Sequence, residues 1–111
     1  MAKTFQVDVV SPEATIYSGL ATIVIARTIE GELGIMADHE PLMGAIATGP
    51  VEIESDSGQR TTIGVQGGFI QVLDNQVTLI TDRAQIADNH AEASEVAERL
   101  AAEAEAEDQD E

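Results

Sequence analysis

The sequence predicts a mostly β fold, an antiparallel β-sandwich followed by a short C-terminal α-helix and an acidic tail. Three features predict it. Short apolar runs alternate with polar residues at the period of a strand. Turn-forming residues separate these runs at close spacing. All nine glycines, all three prolines and the three aromatic residues lie before Arg83, and the stretch beyond it is rich in alanine and glutamate. This break divides the chain into residues 1–84, a sandwich domain, and residues 85–111, a single helix with an acidic tail.

Phe5, Val7 and Val9 alternate with Gln6 and Asp8, giving one buried and one wet face, and Ser11-Pro12 ends the run. Leu20 to Ala26 is apolar and β-branched on both faces, as in a strand covered on both sides. The segment from Glu30 to Leu42 concentrates carboxylates, two glycines and His39 between strands. It reads either as a rigid loop presenting charge or as a turn that only needs its glycines. Val51 and Ile53 alternate with Glu52 and Glu54, and the alternation resumes at Thr61, Ile63 and Val65 after the turn residues Asp56-Ser57-Gly58-Gln59, which makes a hairpin. Gly67-Gly68 interrupts the next apolar run and permits a sharp bend, a bulge or close approach of another backbone. Phe69 to Leu73 and Val77 to Thr81 flank Asp74-Asn75-Gln76 as a second hairpin.

Asn89, with Glu92 three residues on, has the form of a capping box and places a helix start near His90. Ala93, Val96, Ala97, Leu100, Ala101 and Ala104 then recur at helical steps. Only Val96 and Leu100 carry substantial apolar area, so weak docking is expected. From Glu103 to Glu111 there are six acids in nine residues, which predicts a frayed or disordered end.

Composition excludes several functions. With 21 Asp and Glu against 5 Lys and Arg, a formal charge of −16 repels nucleic acid and anionic lipid. The acids are spread unevenly, with 11 acidic and 4 basic residues up to Arg83 and 10 and 1 after it. The absence of cysteine removes disulfides, thiolate metal sites and a thiol nucleophile. Asp8 interrupts any signal-peptide core, and no apolar run is long enough to span a membrane, so a cytoplasmic, soluble chain without direct membrane insertion is expected. There is no phosphate loop, dinucleotide fingerprint, serine elbow or histidine cluster, so neither catalysis nor a cofactor nor a metal is expected.

Four stretches in order resemble the epsilon subunit family of bacterial F-type ATP synthases: Asp8-Val9-Val10-Ser11-Pro12-Glu13; Glu30-Gly31-Glu32-Leu33-Gly34-Ile35 with His39 and Pro41-Leu42; Gly67-Gly68-Phe69; and Val77 to Asp82. The resemblance implies a β-sandwich at the foot of the central stalk, on the cytoplasmic face of the cell membrane, that grips the gamma subunit and rests on the polar loops of the c-ring. It would be a non-catalytic rotor part that joins the ring to the shaft. By the same resemblance, Glu30, Gly31, Glu32, Leu33 and Gly34, with His39 as their neighbour, face the ring or the base of gamma, and Glu32 is the best candidate for a charge-assisted contact. Ser11, Leu42 and Phe69 are further interface candidates.

Family members commonly end in two helices that restrain ATP hydrolysis by reaching toward the catalytic alpha/beta head. The stretch after Arg83 is long enough for one helix and a tail, so weak or absent inhibition is expected. The run Ile86-Ala87-Asp88-Asn89-His90-Ala91 stands where some members bind ATP, but Ala87 and His90 replace the charged pair, so ATP is not expected as a ligand. Ala37-Asp38 replaces the Pro-Gly that often precedes the family histidine. The competing reading is a free-standing β-sandwich that binds a ligand through exposed aromatic residues. Against it, Phe5, Tyr17 and Phe69 are the only aromatic residues, and two lie in strands that read as buried.

Overall fold

The computed structural model describes residues 3–109. They form β1 (Phe5–Val10), β2 (Thr15–Thr28), β3 (Gly31–Met36), β4 (Leu42–Ala45), β5 (Gly49–Ser55), β6 (Arg60–Leu73), β7 (Gln76–Ala87) and α1 (His90–Gln109). The strands run in the order β1-β7-β6-β5-β2-β3, with β4 on β6 and β1 also paired to β2. The mostly β sandwich with a C-terminal helix is therefore present, with one pairing of opposite sense to the rest: β1 and β7 are parallel. They meet only after a long excursion of the chain, and parallel neighbours require such a connection.

Three strands serve both layers. The first half of β2 pairs with β1 and its second half with β3 and β5. The first half of β6 pairs with β5 and its second half with β4. β1 takes only the first part of β7. Phe5, Val7, Val9, Val24, Ile35, Ile53, Ile63, Ile70 and Leu79 fill the space between the layers. The strand from Leu20 to Ala26 departs from expectation: Leu20, opposite Gln6, points outward and is half exposed, and a register shift after Ala21 makes Val24 and Ala26 the next buried residues rather than Ile23 and Ile25.

Gly67 and Gly68 resolve in favour of close approach: β6 continues through them, and a Cβ on Gly68 would lie 2.0 Å from the Ile80 carbonyl oxygen. Both have positive φ, which suits glycine. The Asp74-Asn75 turn closes the β6–β7 hairpin with both residues at positive φ, and Gln76 already belongs to β7 opposite Leu73.

Asn89 caps α1, its side-chain oxygen accepting the Glu92 N–H at 2.8 Å. Ala93, Val96, Ala97 and Leu100 face the sheet, and Ala87 completes this second cluster with Ala93, Val96 and Leu100. The helix seats more closely than two large side chains alone would allow, because Gly64 beneath it has no side chain; a Cβ there would meet the Ala93 oxygen at 2.6 Å and Val96 Cγ1 at 2.7 Å. The stretch expected to fray is helical from Glu103 to Gln109, while Asp110 and Glu111 lie outside the described residues. Arg83 explains the difference, since its guanidinium bonds Glu107 and approaches Glu103 at 4.0 Å, offsetting repulsion among the acids. Arg99 adds a bond of 2.6 Å to Gln85. β7 runs to Ala87, so the expected boundary at residue 84 falls inside a strand.

Candidate docking face

The registers put a continuous row of side chains on the outside of the layer made by β1, β4, the second half of β6 and the first half of β7. Ala45 lies opposite Phe69, Phe69 opposite Ile80, and Ile80 opposite Val10. The Ile29 N–H donates to the Ala45 carbonyl at 3.2 Å and adds a fifth position at the layer's edge. Side chains alternate across a strand, so this row points away from Ile70, Leu79 and Val9, which are buried. Ile29 is 75% exposed, Phe69 58% and Ile80 51%, with Met43 close by on β4 at 69%. Apolar exposure concentrated on one uncovered sheet face marks a docking surface.

Phe69, an interface candidate on a strand that reads as buried, has its side chain exposed. It does belong to an exposed face, but one formed as a flat row rather than a cleft of aromatic side chains. Ile29, Met43 and Ile80 were missed. Ile80 was legible, because Val77 and Leu79 are two residues apart on one face of a strand and alternation turns the next residue to the other face.

The segment expected as a loop from Glu30 to Gly34 is a strand for most of its length. β3 pairs antiparallel with β2, and only Ile29 and Glu30 form the turn between Thr28 and Gly31. The Thr28 hydroxyl fixes this turn, donating to the Gly31 carbonyl at 2.8 Å and accepting the Glu30 N–H at 3.2 Å. Gly31 has φ 130, a conformation other residues avoid, whereas a Cβ on Gly34 would meet nothing within 4 Å. Glu30 and Glu32 are exposed, Glu32 lies opposite Arg27, and Leu33 packs its side chain against the core.

His39 is not a neighbour of Glu30. The whole extended length of β3, from Gly31 to Met36, stands between them and holds them apart. His39 sits half-buried at the other end, its Nδ1 at 2.7 Å from the Glu40 carbonyl oxygen. Beside it Asp38 adopts φ 65, the left-handed geometry that a glycine supplies freely. Asn75 sustains it: its side-chain oxygen accepts the Asp38 N–H at 2.6 Å and its amide donates back to the Asp38 carboxylate at 3.0 Å. Lys3, bonded to the same carboxylate at 2.5 Å, holds it below the usual carboxylate range, with Asn75 assisting. Leu42 is half-buried and packs on the core, so its side chain is only partly available to a partner.

Ser11 lies at another edge. Its hydroxyl and the Ala14 backbone form a tight turn after Val10. The turn lines an open cleft of about 430 Å³ with Arg83, Leu100 and Glu107. Among the described residues no three His, Cys, Asp or Glu side chains are arranged to hold a metal.

The molecule is a small β-sandwich that carries a seated helix and leaves one sheet face with exposed apolar side chains. Residues 4–87 match the family model described as "ATP synthase, Delta/Epsilon chain, beta-sandwich domain", which ends where β7 ends. The ATP synthase epsilon chain of Streptomyces avermitilis is 40% identical over 88 residues, 79% of this chain and 71% of that one. The epsilon chain of Acinetobacter baylyi is 41% identical over 91 residues, 82% of this chain and 66% of that one. A chain in the cryo-EM structure of the Euglena gracilis mitochondrial ATP synthase superposes with a TM-score of 0.71 at 27% identity, covering 75% of this chain and 53% of the other. The central stalk and c-ring structure from Tetrahymena thermophila matches in fold, with a TM-score of 0.61 at 18% identity over 91% of this chain and 92% of the other. The chain belongs to the delta/epsilon family of ATP synthase subunits.

Proposed function

We propose that this chain is a non-catalytic central-stalk subunit of a proton-translocating F-type ATP synthase that couples c-ring rotation to the gamma shaft. The observation that carries the proposal is the row Ile29, Ala45, Phe69, Ile80 and Val10, an apolar face of the kind that stable protein contacts cover. In this reading the row docks on gamma. The Ile29-Glu30 tip, with Glu32 beside it, reaches the polar loops of the c-ring, where an exposed carboxylate can accept a two-pronged bond from a guanidinium.

The chain would then sit peripherally at the cytoplasmic face of the cell membrane, held there by its partners. No helix of the described residues is long and apolar enough to cross a membrane. Inhibition of ATP hydrolysis through the catalytic head is weak or absent in this proposal. It is supported by α1 resting on Gly64 with Arg83 bonded to Glu107 near its end.

Co-purification with gamma at moderate salt tests the docking. The intact chain is expected to hold gamma, and Phe69→Ala is expected to weaken it by about 1–2 kcal/mol, roughly 5- to 30-fold, without lowering the melting temperature. No complex with the intact chain would overturn the proposal. For inhibition, ATP hydrolysis by the assembled enzyme is compared between the intact chain and one ending at Asp88, which spares β7. Equal rates are expected, and a marked rise on truncation would contradict weak inhibition.

A further inference from the structure

We infer that Asp8 is the charge-selective centre of the docking face and receives a lysine or arginine side chain from the partner that covers it. The inference rests on the docking reading above. One step along the strands from the apolar row, Met43 is opposite Gln71, Gln71 opposite Thr78, Thr78 opposite Asp8, and Asp8 opposite Ser18, a row that is polar except for Met43 at its end. Beyond it lie Leu73 and Leu20, 46% and 50% exposed, joined across the sheet by the pairs Leu73–Gln76, Gln76–Gln6 and Gln6–Leu20. Asp8 thus stands between the apolar row and a mixed line in which Gln76 and Gln6 are flanked by exposed Leu73 and Leu20, and a partner that covers the row and both leucines must also cover it.

The carboxylate is held in place from three directions. Oδ1 accepts the Ser18 hydroxyl at 2.5 Å and the Gln6 amide at 3.3 Å, and Oδ2 accepts the Gln76 amide at 2.7 Å. All three donors are neutral. They keep the group ionised, with Ser18 contributing most, yet leave its charge unbalanced. No Lys, Arg or His among the described residues lies within 4.0 Å of it to form an ion pair. A carboxylate offers about four acceptor positions, so one on Oδ2 is free. Removing water from an ionised group without supplying a counter-charge is strongly unfavourable. A cation on the covering surface turns that penalty into a charge-assisted bond and excludes partners that lack one.

The test titrates the full chain with purified gamma at low and moderate salt, using the intact chain, Asp8→Asn and Ser18→Ala. Asp8→Asn is expected to bind at least about thirtyfold more weakly, with a shallower salt dependence. Ser18→Ala keeps the charge and should retain most of the affinity and the full salt dependence. Binding by Asp8→Asn equal to that of the intact chain overturns the inference and leaves the docking reading standing; failure of the intact chain to bind overturns the docking reading itself. Equal losses in both variants would assign Asp8 a structural role and also overturn the inference.

A readout that needs no variant is the ¹³C signal of the Asp8 carboxyl, followed against pH in the free chain and in the complex. Its midpoint should fall on binding if a cation arrives. A midpoint that rises, as for a carboxylate buried alone, or does not move, as for one left in water, refutes the inference.

Discussion

Replacing Gly64 by alanine places a methyl group where α1 now rests. The new Cβ would stand 2.6 Å from the Ala93 carbonyl oxygen and 2.8 Å from Val96 Cβ, so a rotamer change cannot relieve the contact and the helix must lift. Inserting a methyl group into a packed site costs about 1–3 kcal/mol. The attachment it opposes is modest, since Val96 and Leu100 contribute roughly 1.5–3 kcal/mol each, before the cost of ordering the helix. The substitution should therefore shift the docked helix toward the free form by about 5- to 150-fold, at one factor of ten per roughly 1.4 kcal/mol. Amide hydrogen exchange reads this directly: protection at Ala97 to Ala101 should fall by that factor, while Ile63, Val65 and Ile70, whose side chains face the other cluster, keep theirs. Unchanged protection in α1 would show that Gly64 is not the seat. Equal loss in the sheet would show that helix and sandwich form one cooperative unit.

Arg83→Gln removes the pairing with Glu103 and Glu107, and faster exchange confined to the last two turns of α1 is expected. Exposed pairs of this kind are worth about 1 kcal/mol or less, so the melting temperature should move little. The folded chain holds the Asp8 carboxyl below its ordinary value of 3.8, chiefly through the Ser18 hydroxyl. Its stabilising contribution is therefore complete above that ordinary value and is lost as pH falls from there through the lower, folded-state value. The advantage of the intact chain over Asp8→Asn in thermal melts near neutrality should accordingly shrink below about pH 4. With a net charge of −16, the melting temperature of the isolated chain should rise between about 10 and about 150 mM salt as self-repulsion is screened, and a flat profile would refute this.

Strand alternation made most of the sandwich legible. Phe5, Val7 and Val9 lie inward as their spacing requires, and the turn at Asp56 to Gln59 joins the strands it was expected to join. The β3 strand was hidden because Gly31, Glu32 and Gly34 have poor strand propensity; β2 supplies the hydrogen bonds that override it, and only Leu33 and Ile35 show the inward face. Fraying from Glu103 was expected because sequence alone does not show that Arg83, distant along the chain, pairs with acids that otherwise repel one another. Of the candidate site, Phe69 and Glu30 were found by resemblance, while the row that unites Phe69 with Ile80 and Val10 depends on registers between strands, which no local pattern encodes. The separation of His39 from Glu30 has the same cause, since once β3 is a strand its two ends cannot meet.

The crossing of β2, β6 and β7 from one layer to the other has a mechanical meaning. Two sheets joined only by loops can slip past each other, because nothing but side-chain contact resists the motion. Here slippage would have to stretch continuous backbone in three places, with the close contact at Gly68 pinning one of them. A sideways push on the hairpin tip at Ile29 and Glu30 is thus carried into covalent chain, and the sandwich behaves as a braced block.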